Sequence, residues 1–184
     1  ATAKNRDSSC TQHAHSSILT AEPLSRSTAS PTGAQTNIVT LITATIPACE
    51  LALSDVFASL PDIEIEAERI VKGEENAAMP LLWVRGVEPD DFEAACEADP
   101  TIDDLELLAD FDEELLYRMQ WFDRIGLLFQ MLTNANATIL EAVGESETWH
   151  LRLLYPSREH LSKTKTFCSE HGLSFSIDAI RNMD

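Results

Sequence analysis

The sequence predicts an α+β fold, two tandem ferredoxin-like βαββαβ units with antiparallel sheets, preceded by a disordered tail. Three observations carry this. Ile63, Ile65 and Ala67 alternate with Glu64, Glu66 and Glu68, and Leu115, Tyr117, Met119 and Trp121 alternate with polar or smaller neighbours, the period-2 pattern of half-buried strands. Apolar residues at helical spacing separate such stretches. The order strand, helix, strand, strand, helix, strand is read twice, over residues 37–112 and again over 113–184, and a βαββαβ unit folds as a four-stranded antiparallel sheet under two helices.

Residues 1–36 are rich in Ser, Thr and Ala, include Pro23, Pro31 and Gly33, and show no apolar period. They read as a disordered tail. Cys10, His13 and His15 lie close together there, but a structural zinc site needs a fourth ligand on a fixed backbone, so no metal is expected. Asn37–Ile46 is apolar on both faces and reads as a central strand. Pro47 is expected to open a helix carrying Leu53, Val56, Phe57 and Leu60. The Ile63 strand follows, then a polar loop over Lys72–Ala78, a strand over Leu81–Val87, and a helix from Pro89 to Ala98 with Phe92, Ala95 and Cys96 inward. Ile102–Phe111 closes the first unit, with Leu105, Leu107, Ala109 and Phe111 expected on one face.

In the second unit Asp123 is the expected N-cap of a helix whose stripe is Ile125, Leu128, Phe129 and Leu132. The Glu145–Glu147 turn joins Thr138–Gly144 to Thr148–Tyr155 as a hairpin, with Trp149, Leu151, Leu153 and Tyr155 facing one way. Ser157 caps the last helix, Gly172 ends it, and Phe175, Ile177 and Ala179 mark the final strand.

Charge is the strongest bulk signal. The chain has 31 Asp and Glu against 13 Lys and Arg, a net of −18. Residues 1–36 hold Lys4, Arg6 and Arg26 against Asp7 and Glu22, a net of +1, so residues 37–184 carry −19. Only Lys72, Lys163 and Lys165 are lysines in that stretch. Such a surface repels itself at low salt, whereas at molar salt the Debye length falls to about 3 Å. The composition fits a cytoplasm of high ionic strength, with an acidic mesophilic protein as the alternative, and in either case argues against direct nucleic-acid binding, which needs a basic patch. Four cysteines form no CxxC pair, as expected of a reducing compartment. No apolar run reaches the length of a membrane span.

No catalytic signature stands out. There is no Gly-rich phosphate loop and no G-x-S-x-G elbow. His160 and His171 lie about three turns apart on one helix, too far to share an ion; Cys168 and His171 are read as a core thiol and a helix-end imidazole. Trp83 and Trp149 occupy matching strands of the two units. As lining for a ligand pocket between sheet and helices they are the candidate site residues, against the alternative that both are core. No catalytic residue and no cofactor are assigned.

Four runs together resemble a known family: TATIPACELAL at Thr43–Leu53, MPLLWV at Met79–Val84, ILEAVGESETWHLRLLYPSREHLS at Ile139–Ser162 and CSEHGL at Cys168–Leu173. They resemble the domain of haloarchaeal transcription regulators of the bacterio-opsin activator type, over roughly residues 37–182. In that family the domain is typically followed by a C-terminal helix-turn-helix, which would begin where this sequence stops at Met183-Asp184. The resemblance implies a non-enzymatic regulatory, sensor or assembly domain of a cytoplasmic regulator. It would work through a protein partner, self-association or a small ligand, without its own DNA contact. The alternative is a stand-alone ligand-binding or catalytic domain of ferredoxin-like fold. The −19 of residues 37–184 makes one expectation independent of the family: the midpoint of thermal unfolding rises from low to molar KCl, and an unchanged midpoint would remove the halophilic reading.

Overall fold

A computed structural model describes residues 38–73 and 77–183. The tail expected over residues 1–36, with Cys10, His13 and His15, lies outside the described residues. Eight strands build one antiparallel sheet: β1 (Val39–Pro47), β2 (Glu64–Lys72), β3 (Ala78–Arg85), β4 (Ile102–Asp110), β5 (Glu114–Trp121), β6 (Thr138–Glu145), β7 (Thr148–Tyr155) and β8 (Ser176–Met183). The described α-helices are α1 (Ser54–Ser59), α2 (Pro89–Ala98), α3 (Ile125–Asn134) and α4 (Arg158–His171). The chain therefore runs twice through strand, helix, strand, strand, helix, strand, as the alternation of periods predicts.

The spatial order is β4-β5-β3-β2-β6-β7-β1-β8. Each half of this sheet has the strand order of a ferredoxin-like unit, but the two units exchange their first strands. β5 lies between β3 and β4, where β1 would stand, and β1 lies between β7 and β8, where β5 would stand. The halves join edge to edge through β2 and β6, which pair over only three positions, Glu64↔Glu145, Ile65↔Gly144 and Glu66↔Val143. β2 and β6 are thus equivalent strands at the junction, and β3 and β7 equivalent strands beside them.

All four helices cover one face. Phe57 of α1 and Trp121 both meet the Trp149 ring edge-on, at 5.8 and 5.3 Å between centroids. Phe92 of α2 lies 4.8 Å from Tyr117, and the Thr164 hydroxyl of α4 donates to the Tyr155 oxygen at 3.0 Å. Met131 of α3 accepts from the Cys168 thiol at 3.3 Å. The expected stripes of β5 and β7 are buried in full. Gly144 lets α1 approach the junction: a Cβ there would lie 2.4 Å from Cζ of Phe57 and 3.3 Å from Trp149.

Local differences from the expected elements have physical causes. Pro47 does not open a helix; it still pairs with Thr148, and the Ala48 amide donates to Glu147 O at 2.8 Å, so the strand runs through it. A 3-10 turn, Ala48–Glu50, comes next, and α1 begins only after Leu53, which is fully buried at φ +65°. Burial of its side chain offsets the roughly 1–2 kcal/mol cost of that left-handed backbone. Asp123 is likewise left-handed at φ +67° and its side chain caps nothing on α3. β3 starts earlier than expected and ends at Arg85, because Gly86 turns the chain at φ +82°. In β4 two register shifts break the alternation, leaving Leu107 and Phe111 at 38% and 60% exposure instead of inward, a device that also protects an edge strand.

Strand exchange sets a test. Residues 37–112 and 113–184, expressed separately, each lack the strand that completes their half-sheet. Neither is expected to show cooperative thermal unfolding alone, and mixing them is expected to restore it. A mixture that shows no cooperative transition would contradict the exchange.

Candidate functional site: the open face of the sheet

Successive side chains of a strand point to opposite faces, so the residues between the buried ones form a second face that none of the described helices covers. Cross-strand register places Ala109, Leu116, Trp83, Glu66, Val143, His150, Thr45 and Ser176 in one row across all eight strands. The next row holds Glu114, Arg85, Glu64, Glu145 and Thr148.

Arg85 is the electrostatic centre of this face. Its Nε donates to Glu114 at 2.8 Å, and its Nη1 donates to Glu64 at 2.9 Å and Glu66 at 3.1 Å. The hydrogen bond to Glu114, then those to Glu66 and Glu64, hold the guanidinium in its charged form more firmly than usual, against partial desolvation. Two of the three alternating glutamates of β2, Glu64 and Glu66, are thus set around one cation. The same device repeats: Arg152 donates to Glu141 at 3.0 Å, Arg118 donates to Glu106, and His150 lies 3.5 Å from Glu145. Of the seven arginines in residues 37–184, Arg69, Arg85, Arg118, Arg152 and Arg181 stand at open-face positions.

The two candidate tryptophans are not brought together. Trp149 is completely buried beneath the helices and donates to Ala52 O at 3.0 Å. Trp83 is on the open face, donating to Glu68 at 3.2 Å with Phe111 5.8 Å from its ring. They lie on opposite faces of the sheet and cannot line one pocket. Matching strands did not mean matching positions, because Trp83 alternates with the buried Leu82 and Val84, whereas Trp149 is itself in the buried series.

The buried polar groups are structural. Glu50 accepts from the Ser174 amide at 2.6 Å and hydroxyl at 2.8 Å, tying the 3-10 turn to the approach to β8. Asp99 accepts from the Thr101 amide at 2.9 Å, the Thr101 hydroxyl at 2.6 Å and the Asp55 amide at 3.3 Å, joining α1 and α2. His160 meets Ser157 at 2.8 Å within the first turn of α4, and His171 stacks on Phe167 with ring centroids 3.9 Å apart. Among the described residues no buried side-chain polar atom lacks a partner, and no cluster of three His, Cys, Asp or Glu has metal-binding geometry. The hollows described are shallow: one of about 420 Å³ lies beside Glu106 and Arg118, and one of about 220 Å³ lies between Ile70 and Leu140, where β2 and β6 diverge.

Cys96 and Cys168 are buried free thiols. Burial, reinforced by Asp99 and Glu93, pushes Cys96 up to about 12; burial, reinforced by Glu50, pushes Cys168 up to about 11. These are the reverse of activated nucleophiles.

The fold and its two faces define a class: an acidic α+β module with a helix-covered core and a broad, charge-paired outer sheet face. Residues 38–181 match the family described as BAT, the GAF and HTH_10 associated domain. The chain belongs to that family, of bacterio-opsin activator-like regulators. A search of curated proteins returns no match.

The raised thiols, with Tyr155 pushed up to about 12 mainly by burial, give a pH expectation. These groups stay protonated in the fold at pH values where the unfolded chain ionises, so their stabilisation is full below about pH 8.5 and is lost as pH rises through the folded values. Unfolding free energy from denaturant titration is expected to fall between about pH 9 and pH 12. Cys168→Ala with Cys96→Ala should flatten the lower part of that decline.

Proposed function

We propose that this chain is a non-enzymatic regulatory domain, sensing or assembling, of a haloarchaeal transcription regulator in the cytoplasm. It acts by contact with protein or a small ligand and has no specific DNA contact of its own. The observation that supports this best is the open sheet face, which offers a wide surface of paired charges and apolar side chains instead of an enclosed reaction site. Three of its five arginines, Arg85, Arg118 and Arg152, are matched by glutamates, so these are poor competitors for phosphates, whose binding rests on unneutralised cations.

The helices support the same reading. A helix-turn-helix presents its second helix to the major groove, but among the described residues strands separate every pair of successive α-helices. Leu161, Thr164, Phe167 and Cys168 of α4, the helix holding Arg158, Lys163 and Lys165, are buried. Its remaining basic side chains offer only a weak, salt-sensitive patch. Among the described residues no helix is long and apolar enough to cross a membrane. A mobility-shift titration of residues 37–184 with haloarchaeal promoter fragments, at low and molar salt, is expected to show no sequence-dependent retardation. Retardation of one promoter over a scrambled control would sink the proposal.

A further inference from the structure

β8 is an end strand of the sheet: among the described residues it pairs with β1 and with no strand on its other side. Over residues 179–183 its ladder with β1 is unbroken, the register shift falling earlier, where Asp178 is passed over. Alternate residues of such a run turn their amides and carbonyls away from the paired neighbour, toward the place of a further strand. Ile180 and Met183, 46% and 53% exposed, stand on opposite faces of the run. We propose that β8 takes up an extended acidic segment of a partner protein as a ninth strand. The proposal deepens the reading of contact with protein and rests on it, because it names where the partner binds and what chemistry it carries.

Charge gives the partner its chemistry. Residues 37–157 carry −19, whereas residues 158–183, which hold α4 and β8, carry +1. Arg158 of α4 reaches over β8 and donates to Asn182 at 3.2 Å. Lys165 follows it two turns later on the same side of the helix, while Glu159 and Glu170 stand on the side turned away from the buried Leu161, Thr164 and Cys168. Arg181 stands on the other face of β8. Among the described residues Arg158, Lys165 and Arg181 have no ion pair, unlike Arg85, Arg118 and Arg152 further into the sheet. Asp178 is the acid of β8, and it lies outside the unbroken run. A strand laid along residues 179–183 therefore runs between cations of both faces, and carboxylates on it are matched there.

A second copy of this chain fits the edge poorly. β8 against β8 sets Arg158, Lys165 and Arg181 beside their own counterparts. β4, the other end strand, has the complementary charge, with Asp103, Asp104, Glu106 and Asp110 and no cation. Its two register shifts, however, break its edge into runs of two paired residues, too short to continue a ladder. The partner is therefore a different chain with an unbroken extended stretch. Main-chain hydrogen bonds supply the affinity, and the flanking cations select the sequence.

The probe is a fluorescein-labelled peptide that matches β8 in length and alternates glutamate with valine. It is titrated into the full chain at low and at molar KCl, with anisotropy reporting binding and amide hydrogen exchange reporting its place. Binding is expected, with slowed exchange of the outward amides of residues 179–183 and no change at β4. Lys165→Glu combined with Arg181→Glu, both exposed side chains, should weaken binding about tenfold at low salt and less at molar salt, where exposed charges are screened. The exchange readout uses the unmutated chain and holds even if the variant fails to fold. Absence of binding at both salts would overturn the proposal, as would binding that leaves the β8 amides exchanging freely or an affinity untouched by the double variant. Protection of the same amides without peptide, growing with the concentration of the chain, would assign the edge to a second copy and overturn it as well. Each of these leaves the regulatory reading standing, since DNA retardation tests that separately.

Discussion

The structure depends on the antiparallel hydrogen bonding of β1 between β7 and β8. This ladder joins the first described strand to the last two, and the reciprocal insertion of β5 between β3 and β4 does the same for the other half. Neither half-sheet is complete until both insertions are made. The junction of β2 and β6, with three paired positions, is too slight to hold the halves together by itself. The exchange makes the eight strands one cooperative body, at the cost of long loop closures before the central strands find partners.

Once the sheet is continuous, α1 to α4 all lie on one face, and the outer face must solve its own solvation problem. It does so by cross-strand pairing. Arg85 gathers three glutamates, and Arg118, Arg152 and His150 each lie beside a carboxylate. Exposed pairs of this kind are individually worth little, about 0–1 kcal/mol. Their effect is to keep an acidic protein from concentrating unneutralised carboxylates on a flat surface.

The inner face shows the opposite chemistry. Trp149 reaches Ala52 O, Tyr155 accepts from Thr164, and Tyr117 donates to Glu93 at 3.1 Å. Each large polar aromatic described there has a partner, so none is buried with its polar atom unsatisfied. The thiols there are raised by burial and serve as packing.

Much of this was legible in the sequence because it is local. Strict alternation in Glu114–Trp121 and Thr148–Tyr155 determined which residues of β5 and β7 are buried, and the composition determined the acidic surface. The twofold strand and helix order was also legible, since it follows from changes of period along the chain. What only the tertiary structure decided is which strand lies beside which. β1 and β5 have the same apolar inner series whether they complete their own unit or the other, so no local pattern distinguishes exchange from its absence. For the same reason, the faces of Trp83 and Trp149 could not be compared from the order of elements. A shift of one residue in register moves a side chain across the sheet, and register is set by hydrogen bonds to strands far away in sequence. The Arg85 cluster was hidden likewise, because Glu64, Glu66 and Glu114 come together only when β2 and β5 take places on either side of β3.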